Sequence, residues 1–154
     1  MILVEEVLSS AGPGRPVLDL FAGLGTFTFA LARGGPVHAV EGDVRTAAAL
    51  ARAAADQPSV TVERRDLARN PLPASVLARC AAAVFDPPRA GAARQAEELA
   101  ASAIETVVAI SCNLATFARD AAELVGGGYR LERVTPVDQF VWTPHLEIAA
   151  VFRR

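Results

Sequence analysis

Apolar residues along this chain fall into two alternating patterns. Short dense runs, such as Val17-Leu18-Asp19-Leu20-Phe21 and Thr106 to Ser111, have the length and β-branched content of buried strands. Between them lie longer segments whose apolar positions recur every three or four residues, the spacing of one helical face. Read in order, the spacing predicts an opening helix over Ile2–Leu8, stopped by Ala11-Gly12-Pro13-Gly14, and then strand Val17–Phe21. A tight loop at Gly23–Gly25 leads into a helix over Thr26–Arg33, ended by Gly34-Gly35-Pro36. Strand Val37–Glu41, helix Val44–Ala55, strand Val60–Arg64, a weaker helix over Ser75–Arg79 and strand Ala81–Phe85 follow. Helix Ala92–Ala101, strand Thr106–Ser111 and helix Ala115–Val125, closed by Gly126-Gly127-Gly128, complete the alternation. The end differs, because Tyr129–Val137 and Leu146–Phe152 both read as strands with no room for a helix between them. The expected fold is therefore α/β: a mostly parallel seven-stranded sheet with right-handed crossovers, ending in an antiparallel hairpin.

Composition narrows the setting. A chain of 154 residues without internal repeats or low-complexity linkers is expected to form one domain over 1–154. With 52% apolar residues and a net charge of −2, it carries enough core to exclude intrinsic disorder. Every basic residue is Arg, and the slight acidity excludes a surface wholly given to nucleic acid, so any such grip is local. Two cysteines, Cys80 and Cys112, are too few for a four-cysteine zinc site or iron–sulfur cluster, and no metal is expected. No apolar run reaches the roughly 18 residues of a membrane span and no signal-peptide pattern opens the chain, so a cytoplasmic setting is expected.

Chemistry concentrates at the predicted strand ends. The loop Asp19-Leu20-Phe21-Ala22-Gly23-Leu24-Gly25-Thr26 turns strand 1 into its helix, where glycine lets a ligand approach the backbone. A dinucleotide fingerprint requires Gly where Thr28 stands, and a P-loop requires a lysine the chain lacks. Acids instead mark successive strand ends: Asp19, Glu41, Asp66. A carboxylate after strand 2 suits ribose hydroxyls and one after strand 3 suits an adenine amino group, so the set fits an adenosyl ligand without phosphates. Each acid alone reads equally well as a helix cap or loop residue. Strand 4 ends in Asp86-Pro87-Pro88-Arg89-Ala90-Gly91 and strand 5 in Ser111-Cys112-Asn113, and the sheet topology aims both at one crevice. The prolines stiffen a turn that projects Asp86 and Arg89. Cys112 stands at a helix start, where backbone dipoles favour a thiolate, whereas Cys80 reads as core.

Five segments together resemble the RNA (uracil-5-)-methyltransferase family: DLFAGLGTF (19–27), VEGD (40–43), DPPRAGA (86–92), SCNLATFARD (111–120) and VDQFVWTPHLE (137–147). The first two are shared with many methyltransferases; the last three are specific, and the ending looks most like the bacterial 23S rRNA branch. The resemblance implies a Rossmann-like class I methyltransferase fold, S-adenosylmethionine as cofactor, and methylation of uridine carbon 5 in RNA, in rRNA or alternatively tRNA. It implies Cys112 as the thiolate that adds to carbon 6 and Glu147 as the base that removes the carbon 5 proton. Cofactor contacts are implied for Phe21, Gly23, Gly25, Thr26, Glu41, Asp66 and Asp86, and substrate contacts for Asp86, Arg89 and Asn113. Leu114 stands where the family usually has Pro, which predicts a looser loop around Cys112. The family's upstream RNA-binding domain, its four-cysteine cluster and a glutamine-bearing motif have no counterpart before Asp19. A catalytic fragment that binds cofactor but is inactive alone is the alternative reading. His38 and His145 read as packing or surface, Phe140 and Trp142 either as core or hairpin packing or as stacking partners for an unstacked base, and Arg64-Arg65 and Arg153-Arg154 as solvated surface rather than phosphate contacts.

Overall fold

Each of the seven dense apolar runs forms a strand. The computed structural model describes Glu5, residues 14–137 and residues 146–154. Its strands are β1 (Val17–Leu20), β2 (Val37–Glu41), β3 (Val60–Arg64), β4 (Ala82–Phe85), β5 (Thr106–Ser111), β6 (Arg130–Val137) and β7 (Glu147–Arg153). Its helices are α1 (Thr28–Leu31), α2 (Val44–Ala53), α3 (Ala74–Leu77), α4 (Ala93–Ala101) and α5 (Leu114–Gly126). The expected helix at 2–8 lies, apart from Glu5, outside the described residues, as do Phe140, Trp142 and His145.

One sheet holds all seven strands in the order β3-β2-β1-β4-β5-β7-β6. The first five run parallel, and β7 returns antiparallel between β5 and β6. Strand order reverses between β1 and β4, which opens the ligand-binding crevice outside their carboxyl ends.

Alternation along the strands builds two cores. Leu18, Leu20, Phe85, Val107 and Phe152 join Leu77, Leu99 and Leu124 from the helices on one face. Val17, Val37, Val84, Val108 and Val151 pack with Leu31 on the other. Every residue of β1, β4 and β5 is buried, the polar Asp19, Thr106 and Ser111 included, as expected of strands covered on both faces. β6 is exposed at all eight positions and closes the sheet with Arg130, Glu132, Arg133 and Pro136, residues that discourage further pairing at an edge.

Of the described elements, only β2, β3 and β5 keep their expected bounds, and the others shift at their ends by up to two residues; the shifts of β1 and α1 have a backbone reason. β1 stops at Leu20 because Phe21 takes a left-handed conformation, φ 64°. The following helix shrinks to Thr28–Leu31 because the turn through Gly23 (φ 56°) and Gly25 (φ 95°) consumes the preceding residues. Gly25 is required sterically: a Cβ there would lie 2.6 Å from Phe29 Cε2 and 2.7 Å from Leu50 Cδ1.

Candidate active site at the carboxyl rim of the sheet

The carboxyl ends of β1, β2, β3 and β4 surround an open cleft of about 450 Å³, lined by Phe21, Glu41, Gly42, Asp43, Asp66, Leu67, Ala68, Asp86 and Pro88. Four of the expected cofactor residues, Phe21, Glu41, Asp66 and Asp86, thus meet in one place. Glu41 is held from both sides: Oε2 accepts from Gly23 N at 2.9 Å and Oε1 from Asp43 N at 2.7 Å. A carboxylate oxygen has two lone pairs, so each oxygen keeps an acceptor site for a ligand hydroxyl. Gly23 therefore serves the cleft by orienting Glu41. Asp66 Oδ1 accepts from Ala68 N at 3.1 Å and Arg69 N at 3.3 Å, which fixes its turn. Asp43 caps α2 through Arg45 N and Thr46 N, and these bonds, that of Thr46 first, hold its carboxyl below the ordinary value. Gly42, Asp43, Leu67, Ala68 and Pro88 also line the cleft though none was an expected cofactor contact; Gly42 and Asp43 lie in the VEGD segment and Pro88 in the DPPRAGA segment, whereas nothing in the side chains of Leu67 and Ala68 marks them. Gly25 packs against Phe29 and Leu50, and Thr26 is exposed on the loop; neither lines the cleft.

Two acids, Asp19 beneath the cleft and Asp86 on its wall, have carboxyls raised towards neutrality. Asp19 is fully buried and accepts a 2.5 Å hydrogen bond from Thr28 Oγ1 at Oδ2, while its Oδ1 has no partner among the described residues. Burial pushes its carboxyl up to about 6, against the Thr28 bonds that lower it. Asp86 is also raised to about 6, by burial first and then by the nearby charges of Glu147 and Asp19. Three carboxyls from β1, β4 and β7 thus converge, an environment that attracts a cation and resists an anion.

The second half of the rim joins β5 to β7. Their last register pair is Ser111 with Ile148, so Cys112 and Glu147 are the next residues outward on the two strands. Residues 35 apart in number are in this way brought to the same end of one ladder. Cys112 is half-buried. Asn113 caps α5, its Oδ1 accepting from Ala115 N at 3.0 Å and Thr116 N at 3.5 Å. Ser111 Oγ accepts from Asn113 N at 3.1 Å, closing a small turn around Cys112. Leu114 is the first residue of α5, a position that makes no intrahelical N–H bond, and it follows directly on the Asn113 cap. Arg89 is exposed, with its carbonyl accepting from Asn113 Nδ2 at 3.0 Å. The loops carrying Arg89 and Cys112 are therefore bonded to each other.

The remaining residues have structural roles. Cys80 is buried, and burial pushes its thiol up. His38 Nε2 meets Glu63 Oε2 at 3.0 Å, and Glu63 also pairs with Arg65. Arg154 lies over the Tyr129 ring and bonds the carbonyl of Ala100. Among the described residues, no group of three or more His, Cys, Asp or Glu is arranged to hold a metal, and no helix is long and apolar enough to cross a membrane.

Similarity to known proteins agrees with this geometry. An uncharacterized RNA methyltransferase of Agrobacterium fabrum is 50% identical over 99% of this chain, which spans 37% of that protein's length. The 23S rRNA (uracil(1939)-C(5))-methyltransferase of Halomonas elongata is 44% identical over 94% of this chain and 31% of its own. Among solved structures, the Pyrococcus abyssi tRNA (uracil-54, C5)-methyltransferase in complex with S-adenosyl-L-homocysteine superposes with a TM-score of 0.77 and 28% identity, covering 98% of this chain and 37% of that one. The family profile described as tRNA (Uracil-5-)-methyltransferase matches residues 46–154, which include the Asp86 turn, the Cys112 loop and the β6–β7 hairpin. With the rim built as described and most of its length matched, the chain belongs to the tRNA (uracil-5-)-methyltransferase family.

Proposed function

We propose that this chain is the catalytic part of a cytoplasmic enzyme that methylates carbon 5 of a uridine in RNA, using S-adenosylmethionine. The observation that carries the reading is the meeting of an acceptor-rich cleft with Cys112 and Glu147 on one rim of the sheet. The cleft fits the cofactor: Glu41 offers acceptors for ribose hydroxyls, Asp66 stands at the end of β3 for an adenine amino group, and the orphaned Asp19 Oδ1 suits a cationic ligand. When bound, S-adenosylmethionine supplies an electrophilic methyl group.

The chain's residues do the rest. Uracil carbon 5 is a poor nucleophile until carbon 6 carries a fourth substituent. The Cys112 thiolate forms a bond to carbon 6, and the displaced electron pair moves through carbon 5 to oxygen 4, making carbon 5 nucleophilic. Once carbon 5 carries the methyl group, Glu147 takes its remaining proton, the carbon 5–carbon 6 double bond reforms and the sulfur leaves as thiolate. The target uridine must leave its stack to reach Cys112. Arg89, exposed, and Asn113, half-buried, stand beside that residue and are placed to meet the base or its phosphate.

The 44% identity to a 23S rRNA enzyme supports rRNA as the substrate, against 28% for the tRNA enzyme. The chain's 37% share of the Agrobacterium protein favours one further reading, that cofactor binds here while RNA is gripped by regions outside these residues. Trapping with 5-fluorouridine-containing 23S rRNA and S-adenosylmethionine tests the chemistry. A covalent adduct that is lost in Cys112→Ala supports the proposal, and methylation surviving that substitution overturns it. Calorimetric binding of the cofactor with no adduct favours the second reading.

A further inference from the structure

The segment after Ser111-Cys112-Asn113 holds residues the proposed chemistry leaves unused, and Asp120 stands out among them. It lies on the second turn of α5, 4% exposed, among charged groups that are otherwise mostly on the surface. Its Oδ2 accepts from Ala92 N at 2.8 Å, just beyond the Asp86-Pro87-Pro88-Arg89 turn. Its Oδ1 accepts from Arg119 Nη2 at 2.7 Å and Nε at 2.9 Å, and Arg119 Nη2 also donates to Ala90 O at 3.2 Å. Thr116 Oγ1 donates to Arg89 O at 3.1 Å, and Asn113 Nδ2 donates to the same oxygen. One face of α5 thus grips three consecutive peptide groups of the loop that displays Arg89.

Gly91 shows how close the grip is. It takes φ 70°, and a Cβ on it would collide with Arg119 Nη2 and come within 2.7 Å of Asp120 Oδ2. Asp86 is held separately, its N–H donating to Leu20 O at 3.3 Å as part of the sheet. The α5 contacts therefore govern the outer part of the loop, residues 89–92, and leave the cofactor cleft to the strand ends and Pro88.

We propose that Asp120 is a positioning residue that, through Ala92 and Arg119, clamps the Arg89 loop to the helix beginning beside Cys112, so that substrate held by Arg89 meets the thiolate at a set distance. The chemical meaning of the clamp rests on the proposed uridine methylation; the clamp itself rests on geometry alone. A simple helix-surface ion pair would leave Asp120 exposed and Ala92 N free, and neither is found. Truncation would strand the buried Ala92 N–H, whereas Asn keeps an oxygen to accept from it.

Three measurements on wild type, Asp120→Ala and Asp120→Asn test this. Amide hydrogen exchange reads residues 89–92, calorimetry reads S-adenosylmethionine affinity, and trapping with 5-fluorouridine-containing 23S rRNA reads adduct formation at saturating RNA and cofactor. The clamp requires exchange at Gly91 and Ala92 about tenfold or more faster in Asp120→Ala, with β4 and β5 still protected. It also requires adduct formation about tenfold or more slower at unchanged cofactor affinity, and recovery of most of both effects in Asp120→Asn. Unchanged exchange overturns the clamp. Faster exchange with wild-type adduct formation overturns the positioning role, as does a parallel loss of cofactor affinity and adduct. A wild-type chain that binds cofactor but forms no adduct favours the reading in which RNA is gripped outside these residues, one that binds neither sinks the methylation reading, and in both cases the clamp is decided by exchange at 89–92 and its recovery in Asp120→Asn.

Discussion

The two halves of the carboxyl rim are built by different means. The cofactor half takes one residue from each of several parallel strand ends, Asp19, Glu41, Asp66 and Asp86, and orients them by short-range bonds such as Asp43 N to Glu41. The reaction half depends on pairing between β5 and β7, which brings Cys112 and Glu147 together from distant parts of the chain, and on helix α5 gripping the Arg89 loop. A parallel sheet delivers consecutive strand ends to one rim automatically, so the first half follows from topology alone. The second exists only if the hairpin inserts in the right register, because a one-residue slip turns every side chain of β7 to the other face. Independent construction implies that each half can be damaged without the other.

Glu147→Gln should break that comparison most sharply. Loss of the base should slow methylation by about 10²–10⁴-fold while lowering cofactor affinity far less, by no more than the loss of one negative charge near Asp86 allows. Steady-state methylation of rRNA alongside calorimetry checks this, and a matching fall in affinity would show that the halves are coupled. Next in size is Gly25→Ala, expected to cost about 2–4 kcal/mol because it combines overpacking against Phe29 and Leu50 with an unfavourable left-handed backbone. Gly23→Ala, at φ 56° with nothing within 4 Å of the added Cβ, should cost only about 1–2 kcal/mol. Denaturant unfolding compares the two, and equal losses would remove the packing role assigned to Gly25.

A pH series sharpens the electrostatic side. The Asp19 carboxyl is raised in the folded state from 3.8 to about 6, so folding favours its protonated form. Stability from this group is greatest below about pH 3.8 and is lost as pH rises towards 6, by about 1.4 kcal/mol per pH unit across that window. Asp86 adds a slope of the same sign. Asp19→Asn, which keeps an acceptor for Thr28, should flatten the slope and make the protein more stable than wild type at pH 7. Unfolding midpoints at pH 4 and pH 7 decide it, and an unchanged slope would mean Asp19 is not the group responsible. The smallest effect belongs to Leu114→Pro. Asn113 already has the extended backbone a following proline requires, at φ −134° and ψ 107°. The first helical position also needs no N–H, so the variant should gain about 0.4–1 kcal/mol. A loss in thermal melting would show that Leu114 N is engaged after all.

Much of this architecture is legible in the chain because it rests on local patterns. Dense apolar runs mark strands buried on both faces, and β2, β3 and β5 begin and end where those runs do. The turn after Phe21 was less legible: a left-handed phenylalanine has no signature in its own side chain, and the glycines that follow shorten α1 by taking its first residues into the loop. Acids at strand ends could be placed on the rim from order alone, yet the elevation of Asp19 and Asp86 depends on burial and on Glu147 arriving from β7.

The sequence by itself determined the element order, the parallel sheet with its antiparallel close, and the kinds of side chain available at the rim, because those depend on periodicity and strand direction. Only the tertiary structure decided that Glu147 reaches the end of the β5–β7 ladder after which Cys112 follows, and that Asp120 is buried on Ala92 N. It also decided that Thr26 stays outside the cleft while Gly42 and Ala68 enter it. Register, burial and loop-to-helix bonding join residues far apart along the chain, and no local pattern carries their distances.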